Sequence, residues 1–313
     1  MSNEEENKAS NITELNNSLS TNYTTITSLN SIKSEKYLLS DLKKDMKFDN
    51  NIEKTSKENE YLEEIYYNLL LEEKNLKIRP KFGYLKYQKE IKGEMRAILV
   101  DWLDQVHYKC HFKIETLYQT IWIIDTVLSY KKISRSSLQL LGIASLYISC
   151  KFNEIYYPKI YEFVAFTDNA YKEYELLGME KEILKIVNFN ICIPTSIQFY
   201  QIISKIFEFN EEQYNLGKYF MESALIDYDL VYFSPSIIAL SCVYIVMKYF
   251  SLKNYKSIYK IHYFFEAENM EKTIKNSARK LCFLVKNLSE SNLTAIKEKY
   301  SSIEFNSVSK LCE

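Results

Sequence analysis

Apolar residues recur at helical spacing along most of the chain, beginning with the segment EYLEEIYYNLLLEE at 60–73. The connector KIRPKFGYL follows, and its Pro80 and Gly83 indicate an extended stretch. Beyond it the pattern predicts closely spaced helices at 88–110, 113–129, 134–152, 158–166, 171–187, 195–207, 211–228, 233–250, 253–262, 267–287 and 291–300. We therefore predict an all-α protein. The chain has only five glycines and four prolines, and a β-rich fold would need more turn residues.

Composition divides the chain into three parts. Residues 1–58 are rich in Asn, Ser and Thr and lack an aromatic cluster, which is typical of a disordered regulatory tail. Helical patterns fill residues 59–193 and 194–305, and Pro194 in the CIPTS segment marks the predicted joint, where Thr195 can cap the next helix. ASLYISCKF at 144–152 aligns without gaps with SCVYIVMKY at 241–249. Combined with five predicted helices on each side of Pro194, this echo predicts two tandem five-helix domains.

Charge, cysteines and hydropathy limit the class of protein. The formal net charge of −1 removes the main electrostatic reason to propose nucleic-acid binding. None of the six cysteines forms a CxxC pair, so we expect buried, reduced thiols of an intracellular protein. The acidic, polar N-terminus is unlike a secretory signal, and the longest apolar stretch, at 237–246, is too short to span a bilayer.

The segment MRAILVDWLDQV at 95–106 is apolar over more than half of the circumference of its predicted helix. Five apolar residues and a bordering glutamine form one face: Met95, Ile98, Leu99, Trp102, Val106 and Gln105. Arg96, Val100 and Leu103 share a second face. Two interpretations of the first face stay open: it is core like the second, or it is an apolar groove for a partner.

Arg96 lies among apolar neighbours, where an unpaired guanidinium would cost several kcal/mol. Asp125, in the apolar segment LYQTIWIIDTVL, is a candidate partner because its own neighbours leave it few routes to water. We predict a buried, structural Arg96–Asp125 ion pair that joins the first two helices of the first domain.

Candidate catalytic chemistry is weak. No glycine-rich loop could hold a phosphate, and no nucleophile and base are suitably spaced. His107 and His111 have the i, i+4 spacing of a metal pair, but no HExxH pattern or cysteine pair completes a site. We expect two partly exposed helix histidines, no metal, no cofactor and no catalytic residue.

Five ordered motifs resemble the mitotic cyclins: MRAILVDWL, LQLLGIASLYISCKFNEIYYP, FVAFTDNAY, MEKEILKIVNFNICIPT and LIDYDLVYFSPSIIA. The resemblance runs from about Tyr61 to about Tyr300 and covers both cyclin boxes. DWLDQV, FTDNAY and LIDYDLVYFSPS are more similar to B-type than to A-type cyclins. The family implies a regulatory subunit that binds and activates a cyclin-dependent protein kinase in G2 and mitosis and helps to recruit its substrates.

The resemblance also implies roles for residues. Lys151 and Glu180 match the polar pair that holds the kinase. Six positions match the apolar surface that receives the regulatory helix of the kinase: Ile148, Phe152, Ile155, Leu184, Phe189 and Ile191. The family's patch for Arg-x-Leu motifs of substrates and inhibitors corresponds to Met95, Ile98, Leu99, Trp102, Gln105, Val106, Leu138 and Gln139. Arg96 and Asp125 match a buried ion pair of the family.

Several positions depart from the family pattern. Ser149 replaces a small alanine, Asn153 an acidic residue and Tyr157 a proline; Lys159 and Thr126 also differ. These changes favour, as an alternative, a cyclin-like scaffold that binds a kinase without activating it. A cyclin-fold transcription factor is a further alternative. However, no cysteine precedes Cys110 to form a zinc ribbon, and the chain has no basic excess.

The N-terminal region contains the tripeptide KEN at Lys57, Glu58 and Asn59. It matches a degron read by the anaphase-promoting ubiquitin ligase, but a chain rich in these residue types also produces it by chance. An Arg-x-x-Leu degron in the tail is excluded, because the first arginine is Arg79. We expect an intracellular protein in the nucleus or the cytoplasm, although no clear import signal is present.

Overall fold

The computed structural model describes residues 56–252, 267–288 and 290–312, without the side chains of 56–60, Glu63 and 267–269. Every regular element in these ranges is helical. The helices are α1 (Ser56–Asn75), α2 (Gly93–Lys109), α3 (Ile114–Tyr130), α4 (Leu138–Asn153), α5 (Ile160–Phe166), α6 (Glu173–Ile186), α7 (Ser196–Ile206), α8 (Glu211–Ile226), α9 (Pro235–Tyr249), α10 (Ala267–Leu288) and α11 (Ala295–Ser301). Short 3₁₀ segments lie at Tyr84–Tyr87, Arg135–Ser137, Tyr228–Tyr232, Ile303–Phe305 and Val308–Cys312.

The all-α fold with two tandem domains is confirmed. The first domain contains the five helices α2–α6, and the second contains α7–α10 within the described ranges. The predicted helix at 253–262 lies outside the described residues, and so do residues 1–55 of the predicted tail. The boundaries proposed for the three parts remain predictions.

Helix α2 begins later than predicted because Gln88 is held outside it. The buried side chain of Gln88 donates to the carbonyl oxygens of Leu128 (2.6 Å) and Lys131 (2.7 Å), and its own oxygen accepts from the amide of Ile133 (3.1 Å). These bonds tie the connector to the end of α3. Helix α9 begins two residues later than predicted, at Pro235, which lies in the first turn, where a missing N–H costs nothing.

One central helix organises each domain. In the first domain α4 packs against α2, α3, α5 and α6, and in the second α9 packs against α7, α8 and α10. Helices α2 and α4 approach closely at Gly142, where an added Cβ would lie 2.7 Å from Leu99 Cδ1. Leu99 is itself buried, so that a side chain at 142 would require the Leu99 side chain to shift within the first core.

Helix α1 is anchored to the second domain by Glu73. Its carboxylate accepts from the Ser236 amide (2.8 Å) and hydroxyl (2.6 Å) at the start of α9, where it satisfies an otherwise unpaired N–H. Burial raises the pKa of Glu73, and the bonds from Ser236 act in the opposite direction. The ring of Tyr66 packs edge-on against Phe199, 5.5 Å between centroids.

The two domains are joined by two buried charged clusters. In the first, Arg96 of α2 donates to Asp125 of α3 through Nε (2.6 Å) and Nη2 (2.7 Å), and through Nη1 to the carbonyl oxygens of Leu225 (2.8 Å) and Ile226 (3.1 Å) at the end of α8. Asp125 also accepts from the Tyr84 hydroxyl at 2.6 Å. The predicted pair thus forms, and it extends further than expected, because the guanidinium also links the first domain to the second.

The second cluster surrounds Lys299 of α11. Its ammonium donates to Glu222 of α8 (2.6 Å) and to Asp104 of α2 (3.2 Å), and Tyr300 donates to the other oxygen of Glu222 (2.6 Å). Asp104, Glu222 and Lys299 are all nearly inaccessible to solvent. The C-terminal helix thereby fastens α2 of the first domain to α8 of the second.

Two expectations about single residues were wrong. His107 is buried in α2, and its Nε2 lies 2.9 Å from the Lys113 carbonyl oxygen, while His111 follows the helix in a left-handed conformation, φ 53°. Among the cysteines, Cys150 and Cys242 are buried, but Cys192 and Cys282 are exposed; all six are free. The expected buried thiols are therefore only partly present.

Neither a membrane-spanning helix nor a metal-binding cluster occurs in the described part of the chain. No described helix is long and apolar enough to cross a membrane. Nor do the described histidine, cysteine and acidic side chains gather into a group of three that could hold a metal ion.

Candidate functional site

Lys151, in the last turn of α4, forms an ion pair with Glu180 of α6. Its ammonium also lies over the ring of Tyr147, 4.2 Å from the centroid. Both members of the pair are partly accessible at the surface of the first domain. Burial of Tyr147 and the nearby carboxylate of Glu180 raise the pKa of that tyrosine. The pair is thus held in place on a rigid helical frame and can still be reached by a partner.

Apolar side chains border this ion pair. Phe152, Ile155 and Phe189 are exposed, and Leu184 and Ile191 are half-buried. Ile148 does not belong to this surface, because its side chain is only 3% exposed. Its assignment as a surface residue was wrong: at this position the buried face of α4 meets the core. The other five apolar positions lie where a partner could cover them.

Sequence reasoning missed other exposed side chains near this surface in sequence. Five further large side chains, in the loop after α4, on α5 and at the start of α6, are exposed: Tyr156, Tyr157, Tyr161, Tyr174 and Leu177. Tyr156 is the extreme case, at 93% exposure. The sequence IYYPKIY, which follows α4, could have indicated this exposure. It holds three tyrosines in seven residues, and such a group is rarely buried completely in a core.

The end of α6 aims Phe189 outward. Asn188 and Phe189 both have left-handed backbone angles, φ 51° and 57°, and the Phe189 amide donates to the Leu184 carbonyl at 2.8 Å. The left-handed conformation and this hydrogen bond cap the C-terminus of α6, a role that a glycine commonly has at the end of a helix. A bulky residue rarely adopts this conformation, and here Phe189 is 69% exposed.

A polar network supports the surface from below. Asn153 donates to Gln119 at 2.6 Å and to the Ser149 carbonyl at 3.1 Å, and Gln119 donates to the Ile191 carbonyl at 2.6 Å. Asn153, which departs from the family pattern, therefore positions Gln119 through a hydrogen bond, and Gln119 in turn binds the backbone at Ile191. Ser149 is buried within α4, and the described residues offer its hydroxyl no partner.

The second predicted surface, on α2 and the start of α4, is partly buried. Ile98 and Gln105 are exposed, and Met95, Trp102 and Gln139 are partly so. Three of the eight positions, Leu99, Val106 and Leu138, are buried. Both interpretations of the first face of α2 thus hold in part: Leu99 and Val106 serve the core, and Ile98 and Trp102 remain accessible beside them.

The tripeptide Lys57–Asn59 lies in the first turns of α1, although its side chains are outside the described residues. The helical pattern was identified over 60–73, whereas α1 begins at Ser56. The tripeptide is therefore part of the helix rather than of the preceding segment.

Comparison with known proteins agrees with this architecture. Residues 64–192 match the family model for the cyclin N-terminal domain, and residues 194–313 match that for the cyclin C-terminal domain. The viral cyclin of herpesvirus saimiri superposes with a TM-score of 0.57 at 19% identity, over 69% of this chain and 97% of that one. At this identity the structural likeness supports the fold alone.

Two relatives carry the name G2/mitotic-specific cyclin-B. That of Spisula solidissima is 39% identical over 266 residues, 83% of this chain and 60% of the relative. That of Patella vulgata is 37% identical over 254 residues, 81% of this chain and 60% of the relative. The chain thus spans about 60% of the length of these relatives. The predicted resemblance is confirmed, and with both domain models matched in order, the chain belongs to the cyclin family.

Proposed function

We propose that this chain is the regulatory subunit of a cyclin-dependent protein kinase that acts in G2 and mitosis. Family membership and relatives named as mitotic cyclins support this assignment. The chain itself contributes no catalytic group; the partner kinase carries out phosphoryl transfer. A kinase partner also implies an intracellular location, in the nucleus or the cytoplasm.

The observation that carries the proposal is the accessible Lys151–Glu180 pair within an apolar border. A helix of the kinase would cover Phe152, Ile155 and Phe189, and burial of these side chains would supply most of the binding free energy. The charged pair would fix the orientation of that helix by hydrogen bonds to its backbone.

Activation follows from differential binding. A kinase in equilibrium between inactive and active conformations shifts toward the one that this surface binds more tightly. The active conformation has the Lys–Glu pair of the kinase in place, which the transfer of the γ-phosphate requires. The rigid helical frame of α4 and α6 suits this role, because a preformed surface can favour one position of the kinase helix over another.

Two further partners belong to the proposal. Substrates or inhibitors with Arg-x-Leu motifs would dock on the accessible part of the α2 surface, around Ile98 and Trp102. The anaphase-promoting ubiquitin ligase would read Lys57, Glu58 and Asn59, which lie where helix α1 begins and where helices fray.

The proposal is tested by mixing the purified chain with an inactive, activation-loop-phosphorylated mitotic kinase from the same source and measuring phosphate transfer to a protein substrate. Strong stimulation is the expected result. Binding without stimulation would favour the scaffold alternative and direct attention to Ser149, Asn153 and Tyr157. A chain that neither binds nor stimulates any such kinase would contradict the proposal.

A further inference from the structure

Positive charge is concentrated at the N-terminal end of α4, the opposite end of this helix from Lys151. Two segments supply it: residues 81–92 of the connector and residues 131–135 of the turn between α3 and α4. Together they hold seven cationic residues and one acidic residue, Glu90, whereas the whole chain has a formal net charge of −1. These two segments therefore create a positive local potential on a nearly neutral protein.

Hydrogen bonds hold the two segments side by side. The side chain of Gln88 donates to the carbonyl oxygen of Lys131 (2.7 Å) and accepts from the amide of Ile133 (3.1 Å). Two residues further along the connector, the carboxylate of Glu90 accepts from the amide of Arg135 (2.9 Å). The connector and the turn thus follow each other, and their cations belong to one surface.

Five of the seven cations are exposed and available to a partner: Lys86, Lys89, Lys92, Lys132 and Arg135. We call these five the basic connector surface. Within the described residues their side chains form no hydrogen bond, ion pair or contact with an aromatic ring. The other two cations are already engaged, since Lys131 pairs with Glu182 and Lys81 lies over the ring of Tyr130, 3.9 Å from the centroid.

The basic connector surface adjoins the α2 surface that is proposed to dock Arg-x-Leu motifs. Lys92 is the N-cap residue of α2, three positions before Met95. Arg135 begins the 3₁₀ segment that leads directly into α4, four positions before Gln139. The cations therefore lie at the N-terminal ends of the two helices that carry the α2 surface. Between them Tyr87, which is 72% exposed, offers an additional contact area.

We propose that the basic connector surface selects, among the Arg-x-Leu partners of the α2 surface, those in which an acidic stretch flanks the motif. This inference rests on the proposed docking function of the α2 surface. Along α2, Lys92 lies about 15 Å from Trp102, a distance that about five extended residues cover. Carboxylates within that distance of the motif would meet the basic connector surface. Each exposed pair contributes little, but several together set a preference among partners.

Nucleic acids and anionic membranes fit this surface less well. A nucleic-acid strand carries one charge per nucleotide over a long path, and the rest of the chain is net negative. A membrane-bound helix inserts a wide apolar side, whereas the connector forms only the short 3₁₀ segment Tyr84–Tyr87, in which Tyr84 is buried. A protein segment that already occupies the adjoining α2 surface would reach the cations without a second, separate binding event.

The test measures the fluorescence anisotropy of two fluorescein-labelled peptides titrated with the full chain. Both contain the same Arg-x-Leu motif, which four glutamates flank on each side in one peptide and four glutamines in the other. The variant Lys89→Glu with Lys132→Glu reverses two cations of the basic connector surface. Its matched control, Lys205→Glu with Lys272→Glu, reverses two exposed cations of the second domain and changes the total charge equally. Oligothymidylate and phosphatidylserine vesicles serve as further probes.

We expect the glutamate peptide to bind about tenfold more tightly than the glutamine peptide at low ionic strength, and added salt to reduce this preference. The Lys89/Lys132 variant should lose the preference and keep its affinity for the glutamine peptide, and the control should behave as wild type.

Equal affinity of wild type for the two peptides would overturn the inference and leave the proposed docking function intact. Failure of both peptides to bind would overturn the docking function and the inference together. An equal loss of preference in the control would show that only total charge matters, and would also overturn the inference. Tighter binding of the oligonucleotide or the vesicles than of the glutamate peptide would assign the surface to that ligand instead.

Discussion

The ammonium of Lys299 lies 2.6 Å from a carboxylate oxygen of Glu222, and both side chains are almost completely buried. Removal of one member of such a pair leaves an uncompensated charge in the interior, which typically costs about 3–5 kcal/mol. We therefore expect Lys299→Met to lower the free energy of unfolding by about that amount. Urea denaturation measures it.

A second variant separates charge from packing in that experiment. Lys299→Met combined with Glu222→Gln and Asp104→Asn removes the stranded charges and should recover much of the loss. A decrease below about 1 kcal/mol for Lys299→Met alone, in the range of ordinary surface pairs, would contradict the structural role of the cluster.

Asp104 gives the same cluster a pH dependence. Burial raises the pKa of Asp104 to about 7, from 3.8, although Lys299 acts in the opposite direction. Because the folded state holds the proton more tightly, the contribution of Asp104 is fully favourable below about pH 4 and is lost as the pH rises through 7. Asp104→Asn should therefore stabilise the protein, relative to wild type, more at pH 8 than at pH 5.

The pH dependence of stability must be compared between wild type and Asp104→Asn, because His107 changes the stability of the protein with pH in the opposite direction to Asp104. Burial lowers the pKa of His107 to about 4, from 6.5, so its contribution is lost as the pH falls through that interval. Thermal unfolding of wild type and Asp104→Asn at both pH values leaves the His107 contribution common to the two. A difference between them that stays constant with pH would refute the proposed titration of Asp104.

Ile98 and Trp102 test the substrate-docking surface. Because Ile98 is 61% exposed and Trp102 partly so, truncation to alanine should remove partner contacts more than core packing. We expect the double alanine variant to lower kcat/KM about tenfold for a protein substrate with an Arg-x-Leu motif, and to leave a short peptide substrate unaffected.

Ile303, which is also highly exposed, provides a control for the isoleucine, since Ile303→Ala removes the same side-chain atoms as Ile98→Ala but at another surface. Equal losses on both kinds of substrate would identify Ile98 and Trp102 as structural. A loss with Ile303→Ala on the motif-bearing substrate would place the docking surface elsewhere.

The helices and one buried pair could be read from the sequence. Periodicity located α3 and α9 to within a few residues, since both are apolar on several sides and bounded by polar turns. The Arg96–Asp125 pair followed from a charge in an apolar face that needed a partner. The late start of α2 could not be foreseen, because it depends on Gln88 and its bonds to α3.

Long-range burial was what sequence reasoning missed. Lys299 lies in the polar-looking run AIKEKYS, and its partners Asp104 and Glu222 are distant in sequence, so no local pattern predicts their meeting. Ile148 was misplaced for a related reason, because one helix position can face the core or a partner depending on the packing of α4. The exposed tyrosines after α4 depend equally on how that loop leaves the domain.

The Lys151–Glu180 pair is the feature on which the proposed binding of the kinase depends most. The first domain contains a second ion pair, Lys131–Glu182, whose acidic member is also on α6 and whose side chains are more exposed. Replacement of both members of either pair by alanine should raise or lower the free energy of unfolding by no more than about 1 kcal/mol. Both double variants should therefore fold.

The measurement is the affinity of each double variant for the partner kinase by titration calorimetry, together with stimulated phosphate transfer. We predict that Lys151→Ala with Glu180→Ala weakens binding at least about a hundredfold and abolishes stimulation. Lys131→Ala with Glu182→Ala should behave as wild type. Wild-type affinity and stimulation in the first variant, or equal losses in both, would contradict the claim that this surface of the first domain holds the kinase.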